Sequence, residues 1–143
     1  MSMTIPELHA FLAEAFPQVA DDFLVEDVTH DTLRVRLRVG DKHLRPGGTV
    51  SGPSIFALAD VALYLMILSR LGPVALAVTT NCSVDFMRKP AAATDLIAET
   101  RLLKLGRVLA VGDVLIRSDG DHRPVARASL TYSIPPDAGQ GAG

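Results

Sequence analysis

Residues 46–68, PGGTVSGPSIFALADVALYLMIL, join a glycine-rich loop directly to a long and almost uniformly apolar segment. Pro53 fits the first position of a helix, where its missing N–H costs nothing. The segment runs to about Leu71, and the Gly72-Pro73 pair that follows is a strong stop signal. The sequence therefore predicts a long helix that is apolar on all sides. Such a helix is expected in the centre of a fold or packed in an interface.

One carboxylate, Asp60, stands in the middle of this helix, and no other residue from Ile55 to Leu68 is charged. Ionising a carboxylate in an apolar setting is costly unless something compensates for it. A capping role is a poor explanation, because Asp60 lies two turns past Pro53 and caps act within the first turn. Pairing with an arginine, or contact with solvent at a helix edge, stays open. We favour a catalytic base or nucleophile.

The composition is that of one ordinary globular domain. The chain has 143 residues, of which 48% are hydrophobic and 21% charged, and its net charge of −2 gives no pull towards nucleic acid or membranes. One cysteine, Cys82, rules out an internal disulfide framework and favours a reducing compartment. The N-terminus lacks the pattern of a signal peptide. We predict a soluble, cytoplasmic protein with one domain over residues 1–135 and a flexible tail over 136–143.

The rest of the chain predicts one further helix and an antiparallel sheet. Thr4 is expected to cap a helix that stops at Pro17. Alternating apolar residues between turn residues predict strands at 23–28, 33–39, 75–87, 95–105, 107–117 and 125–134. Short connections imply antiparallel pairing. The predicted fold class is therefore α+β, with one sheet wrapped around the long helix and with apolar edges that favour a dimer.

Basic residues are concentrated on one predicted strand and at several strand ends. Arg34, Arg36 and Arg38 form a one-sided stripe, for which a solvated face or a subunit contact is the default and a nucleic-acid surface the alternative. The residues at strand ends and turns are either ordinary surface charges or contacts to the phosphates of a long cofactor. They are Arg88, Lys89, Lys104 and Arg107.

The loop RPGGTVSGP, residues 45–53, is the second candidate site. Gly47, Gly48 and Gly52 let the backbone approach a ligand closely. The loop ends at a helix N-terminus, where free N–H groups attract negative charge or a polarised carbonyl oxygen, so it could stabilise an oxyanion. It is not a phosphate loop, because neither GxxxxGK[ST] nor GxGxxG is present.

Metal sites and catalytic triads find no support in the sequence. Cys82 has no second cysteine, and Ser51 lacks the GxSxG context of a hydrolase nucleophile. The histidines show no ligand spacing and lie on scattered predicted elements; they are His9, His30, His43 and His122. His9 is expected to face solvent. We predict no metal site.

The run P-x-G-T-x-S-G-P followed by A-L-A-D-x-A resembles the hotdog-fold thioesterases of the phenylacetate-pathway (PaaI-like) group. Their usual signature is N-P-x-G-x-x-H-G-G and then L-x-D-x-A. The residues that match at this spacing are Pro46, Gly48, Gly52, Leu58, Asp60 and Ala62. Further matches are Val78-Thr79, the run FMRKP at 86–90 and the turn KLGR at 104–107. The resemblance covers nearly the whole chain from residue 23 to 134.

This resemblance implies a hotdog fold, paired into dimers or dimers of dimers, that hydrolyses acyl-CoA thioesters at the dimer interface. Asp60 would be the nucleophile or the general base acting on water. The Gly52 N–H would polarise the thioester carbonyl from across the interface, and Thr79 takes the place of a hydroxyl that helps to position water. The CoA phosphates would be held by Arg88, Lys89, Lys104 and Arg107 around Gly106. CoA is then part of the substrate, and no cofactor is expected.

The chain departs from that signature in the loop. Ser51 stands for the usual His and is counted among the catalytic positions, and Arg45 stands for the usual Asn as a substrate-binding residue. The usual His and Asn shape the carbonyl pocket, and Pro53 lacks an N–H that a second glycine provides. A non-catalytic acyl-CoA binding or sensing domain is therefore the alternative. A hydratase is weaker, because no His partner for Asp60 is evident. The acyl group stays open; its apolar lining would come from Phe56, Tyr64, Met66 and Leu68.

Overall fold

The computed structural model describes residues 3–73 and 77–136, and it contains two α-helices and six strands within those ranges. The helices are α1, Ile5–Ala15, and α2, Gly52–Leu71. The strands are β1 Phe23–Val28, β2 Thr32–Leu37, β3 Val78–Phe86, β4 Leu96–Leu105, β5 Leu109–Ser118 and β6 Pro124–Ser133. Every predicted element is present with slightly shifted ends. Residues 75 and 76 of the predicted third strand, and the predicted tail from 137 onward, lie outside the described residues.

α2 is the predicted apolar helix, and its two ends follow from local chemistry. Ser51 is the N-cap, and its Oγ accepts the backbone N–H of Ser54 at 3.3 Å. The helix therefore begins at Gly52, one residue before the predicted start at Pro53. It ends at Gly72, whose φ of 85° lies in the left-handed region that glycine adopts without strain.

α2 forms the centre of the hydrophobic core. The core side chains of α2 include Leu58, Ala59, Ala62, Leu63 and Leu65. α2 is also long and apolar enough to cross a bilayer by composition alone. Its apolar character is explained by this burial, because the sheet and α1 pack around it.

The six strands form one antiparallel sheet in the order β1-β2-β4-β5-β6-β3. Its inner face carries alternating buried residues that pack against α2. On β6 and the residue after it these are Ala126, Ala128, Leu130, Tyr132 and Ile134, as the alternation predicts. One antiparallel sheet around one long helix is the predicted α+β architecture and the hotdog arrangement.

α1 packs near β1 through a contact of His9 that the sequence did not predict. His9 is partly exposed, and its Nε2 accepts the backbone N–H of Val25 at 3.1 Å, which links α1 to β1. Burial, and then the nearby Arg38 charge, lower the pKa of His9. A neutral imidazole is the form that can accept this hydrogen bond.

The arginine stripe on β2 is largely neutralised by carboxylates. Arg34 and Arg36 both pair with Glu26, and Arg36 also binds Asp95 and Asp119, at 3.1 and 2.8 Å. The hydrogen bonds that Arg36 donates, first to Asp119 and then to Glu26, raise its pKa. The stripe therefore forms an ion-pair network on the sheet face, and such a network does not favour the nucleic-acid alternative.

β3 lies at one edge of the sheet and pairs on one side with β6. Large apolar side chains at its ends are exposed, with Val78 56%, Phe86 58% and the following Met87 49% accessible. An edge strand with exposed apolar side chains is a ready surface for pairing with another chain. This edge matters for the site described below.

Gly112 of β5 shows how closely α2 approaches the sheet. A Cβ at this position would lie 2.5 Å from Leu63 Cδ1 and 3.0 Å from the Arg101 carbonyl oxygen. We expect Gly112→Ala to lower the free energy of unfolding by about 1–3 kcal/mol through overpacking. Urea denaturation measures this change. Gly106→Ala, whose Cβ would meet its nearest atoms at 3.4 Å, is the control and should lose less; equal losses would contradict the explanation.

Candidate active site

The Asp60 carboxylate is held by two hydroxyl groups from neighbouring strands. Thr79 Oγ1 donates to Asp60 Oδ1 at 2.5 Å, and the Tyr132 hydroxyl lies 2.8 Å from the same oxygen. Among the described residues no arginine or lysine lies within ion-pair distance of Asp60. The compensation for burying this carboxylate is therefore hydrogen bonding rather than an ion pair.

The two carboxylate oxygens of Asp60 have different surroundings. Both side-chain hydrogen bonds go to Oδ1, and no described residue donates to Oδ2. Asp60 lines a cavity of about 260 Å³, and its side chain is only partly buried. One oxygen is thus fixed by the protein while the other is available to a molecule in the cavity.

We call this cavity the Asp60 pocket. It is mostly apolar, and α1 and the residues that follow it form one of its walls. Its other lining residues are Leu12, Phe16, Val19, Val61, Tyr64, Ala77, Val78, Thr79 and Tyr132. Sequence reasoning named Asp60, Tyr64 and Thr79 but missed Tyr132 as a partner of Asp60. The alternation of β6 put Tyr132 on the buried face, and that was its only signal.

Burial determines the protonation of the groups around Asp60. The pKa of Tyr132 is raised well above its ordinary value, by burial first and by the Asp60 charge second. The same two causes, in the same order, raise the pKa of the Cys82 thiol. Tyr132 consequently remains a protonated donor to Asp60 across the physiological pH range.

The loop of residues 45–53 lines a second cavity, of about 670 Å³, together with the end of β3. We call it the loop pocket. Its lining residues are Arg45, Pro46, Gly47, Thr49, Val50, Gly52, Ile55, Phe86, Met87, Arg88, Lys89 and Pro90. Gly47 and Gly48 have φ values of 104° and 85°, which explains why glycine occupies both positions. Three cationic side chains thus surround the N-terminus of α2.

The first turn of α2 leaves one backbone donor without a protein partner. Ser54 N–H is taken by Ser51 Oγ and Ile55 N–H by the Ser51 carbonyl, while Pro53 has no N–H. Within the described ranges, no residue accepts the N–H of Gly52. The Ser51 hydroxyl, a predicted catalytic group, is engaged in this cap and also donates to Ser54 Oγ. Gly52 therefore presents the free N–H of the helix terminus.

The two pockets are separate within one chain. Gly52 and Asp60 lie about two turns, roughly 12 Å, apart on the same rigid helix. Gly52 is beside Phe86, since a Cβ on it would lie 3.7 Å from the Phe86 ring, whereas Asp60 is beside Thr79. These neighbours stand near opposite ends of β3. A single chain does not bring the Gly52 N–H to the Asp60 carboxylate.

The remaining predicted phosphate contacts form a third group. Lys104, Gly106 and Arg107 lie at the turn between β4 and β5, which Gly106 N–H closes by donating to the Leu109 carbonyl. Val78 of β3 and Leu109 of β5 both pair with Ser133, so this turn is at the Thr79 end of the sheet. Arg88 and Lys89 are at the other end.

Comparison with known proteins identifies the family. The model of the Thioesterase superfamily matches residues 47–125, a span that includes Gly52, Asp60 and Thr79. The chain belongs to the thioesterase superfamily. It is accordingly a thioester hydrolase.

The relatives of this thioesterase agree in sequence and in fold. A Pseudomonas aeruginosa protein, PA0474, named as a candidate esterase, is 32% identical over 136 residues, covering 93% of this chain and 99% of the relative. The crystal structure of a candidate thioesterase from Silicibacter sp. TM1040 has a TM-score of 0.88 at 55% identity, covering 94% and 93% of the two chains. A mutant of the phenylacetic acid degradation protein PaaI from Thermus thermophilus has a TM-score of 0.71 at 28% identity, covering 83% of this chain and 99% of the other.

Of the side chains predicted to line the acyl site of the thioesterase, only Tyr64 lines the Asp60 pocket. Met66 and Leu68 are fully buried in the core, and the partly exposed Phe56 is not part of that lining. Met66 projects from another side of α2, whereas Phe56 and Leu68 follow the stripe of Asp60 and Tyr64 one turn beyond the pocket at either end. The Tyr64 ring stacks on Tyr132 with centroids 6.0 Å apart and meets Phe16 edge-on at 5.8 Å.

The Tyr64 hydroxyl is buried and has no hydrogen-bond partner among the described residues. Burial also raises the pKa of this hydroxyl to about 12. Because an unpaired buried hydroxyl destabilises the folded state, we expect Tyr64→Phe to keep or raise the free energy of unfolding, by up to about 1 kcal/mol. Tyr132→Phe, which removes a hydrogen bond to Asp60, should lower it. Chemical denaturation of both variants tests this; a larger loss for Tyr64→Phe would show that the hydroxyl has a partner.

Proposed function

We propose that this thioesterase hydrolyses acyl-CoA thioesters at sites shared between two copies of the chain, with Asp60 as the reacting carboxylate. The observation that carries the proposal is the asymmetry of Asp60. Thr79 and Tyr132 fix Oδ1, while Oδ2 is available in an apolar pocket. A carboxylate that is held in one orientation beside an apolar pocket suits attack on a thioester.

Asp60 can act in either of two ways. As a general base it removes a proton from water, and the hydroxyl oxygen adds to the thioester carbonyl. As a nucleophile its own oxygen adds to that carbonyl, and water later hydrolyses the resulting anhydride. In both routes the tetrahedral oxyanion collapses, the C–S bond breaks, and CoA leaves as the thiolate and takes up a proton. The Thr79 hydroxyl is placed to orient Asp60 and, in the first route, the water.

Antiparallel pairing of two β3 strands would join the separated groups. Such pairing places the Thr79 end of one strand opposite the Phe86 end of the other. Asp60 adjoins Thr79 and Gly52 adjoins Phe86, so the Gly52 N–H of one copy would approach the Asp60 carboxylate of its partner. Pairing would also cover the exposed Val78 and Phe86 side chains. A homodimer, or a dimer of dimers built from it, is therefore part of the proposal.

The cationic residues fit the phosphates of CoA in such a dimer. Arg45, Arg88 and Lys89 line the loop pocket beside the Gly52 N–H. Lys104 and Arg107 lie at the Thr79 end, which the dimer would bring towards the loop pocket of the partner. The backbone at Gly48 and Gly106 allows close approach of the chain to the ligand. CoA then enters as part of the substrate, and a cytoplasmic location fits this substrate.

Asp60→Asn tests the reacting group with little change in shape. The amide oxygen can still accept from Thr79 and Tyr132, but it is neither a base nor a competent nucleophile. We expect kcat/KM to fall by about 10³-fold or more on an acyl-CoA panel, measured by trapping the released CoA thiol. Asp113→Asn on β5, whose carboxylate accepts a hydrogen bond from Ser129, is the control and should retain activity. An Asp60→Asn protein as active as the parent would exclude the proposed role.

Substitutions of Gly52 test the donor and the shared site together. Gly52→Ala keeps the N–H, and its Cβ has room beside Phe86, so activity should persist. Gly52→Pro removes the N–H at a position where proline suits a helix, with Gly52→Ala as the control for the added Cβ, and kcat should fall by about 10²-fold.

Mixing inactive Gly52→Pro with inactive Asp60→Asn should restore about a quarter of the parent's activity, because half of the dimers are mixed and each holds one intact site. Subunit exchange before the assay is confirmed with a tagged chain. No recovery after confirmed exchange would mean that each site lies within one chain.

A further inference from the structure

His43 is a buried polar residue to which neither the sequence nor the proposed reaction gives a role. Its exposed fraction is 7%, and both ring nitrogens have partners. The Gly40 backbone N–H donates to Nδ1 at 2.8 Å, and Nε2 lies 3.3 Å from Asp22 Oδ2. Because Nδ1 is an acceptor here, the neutral ring carries its proton on Nε2 and donates it to Asp22.

The backbone of His43 closes the base of the loop. Ser51 N–H donates to the His43 carbonyl at 2.8 Å, and Leu44 forms a β-bridge with Val50. Inside this closure, Arg45 N–H donates to the Thr49 carbonyl at 2.8 Å. The loop is therefore a small closed hairpin. Its last residue, Ser51, caps α2 and immediately precedes Gly52.

The side chain of His43 connects this hairpin to the sheet. Asp22 precedes β1, and its carbonyl accepts the Arg38 N–H at 2.8 Å just after β2. Its carboxylate binds Lys42 Nζ at 2.8 Å as well as His43. Through these contacts the position of the His43 carbonyl, and hence of Ser51, is set by the ends of β1 and β2.

We propose that His43 is a positioning residue. Its imidazole, held by Gly40 and Asp22, fixes the hairpin and, through Ser51, the orientation of the Gly52 N–H. The proposal rests on the proposed function insofar as Gly52 stabilises an oxyanion, but the fixing of the loop is a separate physical statement. A donor that acts on the transition state is sensitive to small displacements, whereas ground-state binding through Arg88 and Lys89 is less so.

Two conservative variants separate positioning from packing. In His43→Asn the amide oxygen takes nearly the place of Nδ1 and can still accept the Gly40 N–H. In His43→Gln the side-chain amide extends towards the place of Nε2 and Asp22 instead. We expect His43→Gln to lower kcat by about tenfold or more while KM changes less than about threefold, and His43→Asn to keep kcat within about threefold of the parent, because the Gly40 contact is the shorter of the two and ties the hairpin to the end of β2. Equal kcat values for the two variants, or a lower kcat for His43→Asn than for His43→Gln, would overturn the proposal.

His9→Gln is the matched control, since His9 also accepts a backbone N–H, that of Val25, but far along the chain from the loop. It should leave kcat unchanged at a similar loss of stability. If it lowers kcat as much as His43→Gln, the effect of His43 is general destabilisation and the proposal fails.

Amide hydrogen exchange gives a readout that does not need turnover. In His43→Gln, exchange should accelerate at residues 44–54 and not in β4 or β5; unchanged or evenly spread exchange would overturn the proposal.

If the parent hydrolyses no acyl-CoA, the proposed function fails while exchange still decides the role of His43 in the loop. If Asp60→Asn is inactive but His43→Gln equals the parent in kcat, the function stands and the positioning role falls.

Discussion

The pairing register of β3 with β6 is the constraint on which the active site depends. It sets Thr79 opposite Tyr132, and both hydroxyls then meet one oxygen of Asp60 on the helix between the sheet edges. A one-residue shift of β3 against β6 would turn Thr79 to the other face of the sheet, while Tyr132 would stay in place because β6 also pairs with β5. Asp60 would then lose one of its two side-chain donors, and a lost hydrogen bond to a charged group costs about 1.5–3 kcal/mol. The surroundings of the carboxylate thus depend on the correct pairing of this edge strand.

The sequence predicted the elements better than the contacts between them. The helix at Gly52–Leu71, the single carboxylate in it and the alternating faces of the strands follow from local patterns, and the structure bears them out. The contact of Tyr132 with Asp60 spans 72 positions of the chain and depends on the order of strands, which no local pattern encodes. The same reason explains why the contacts of His9 and His43 were not predicted: a histidine used to accept a backbone N–H needs no motif.

The helix itself explains why the reacting groups are divided. α2 supplies both the free N–H of Gly52 at its terminus and the carboxylate of Asp60 two turns later. A helix is too stiff to fold one of these onto the other, so the two can act together only if a second copy supplies one of them. In the proposed dimer, activity is therefore coupled to association, and the apolar edge strand β3 serves stability and chemistry at once.

In the proposed mechanism, the departures of this chain from the family signature leave one backbone donor for the oxyanion. Pro53 brings no N–H, and Ser51 satisfies Ser54 through its hydroxyl and Ile55 through its carbonyl. What remains at the helix terminus is the N–H of Gly52, supported by the positive end of the helix dipole. A site with several donors tolerates a small misplacement of any one of them, whereas a site with a single backbone donor does not. The fixing of the loop by His43 and Asp22 supplies the rigidity that such a site requires.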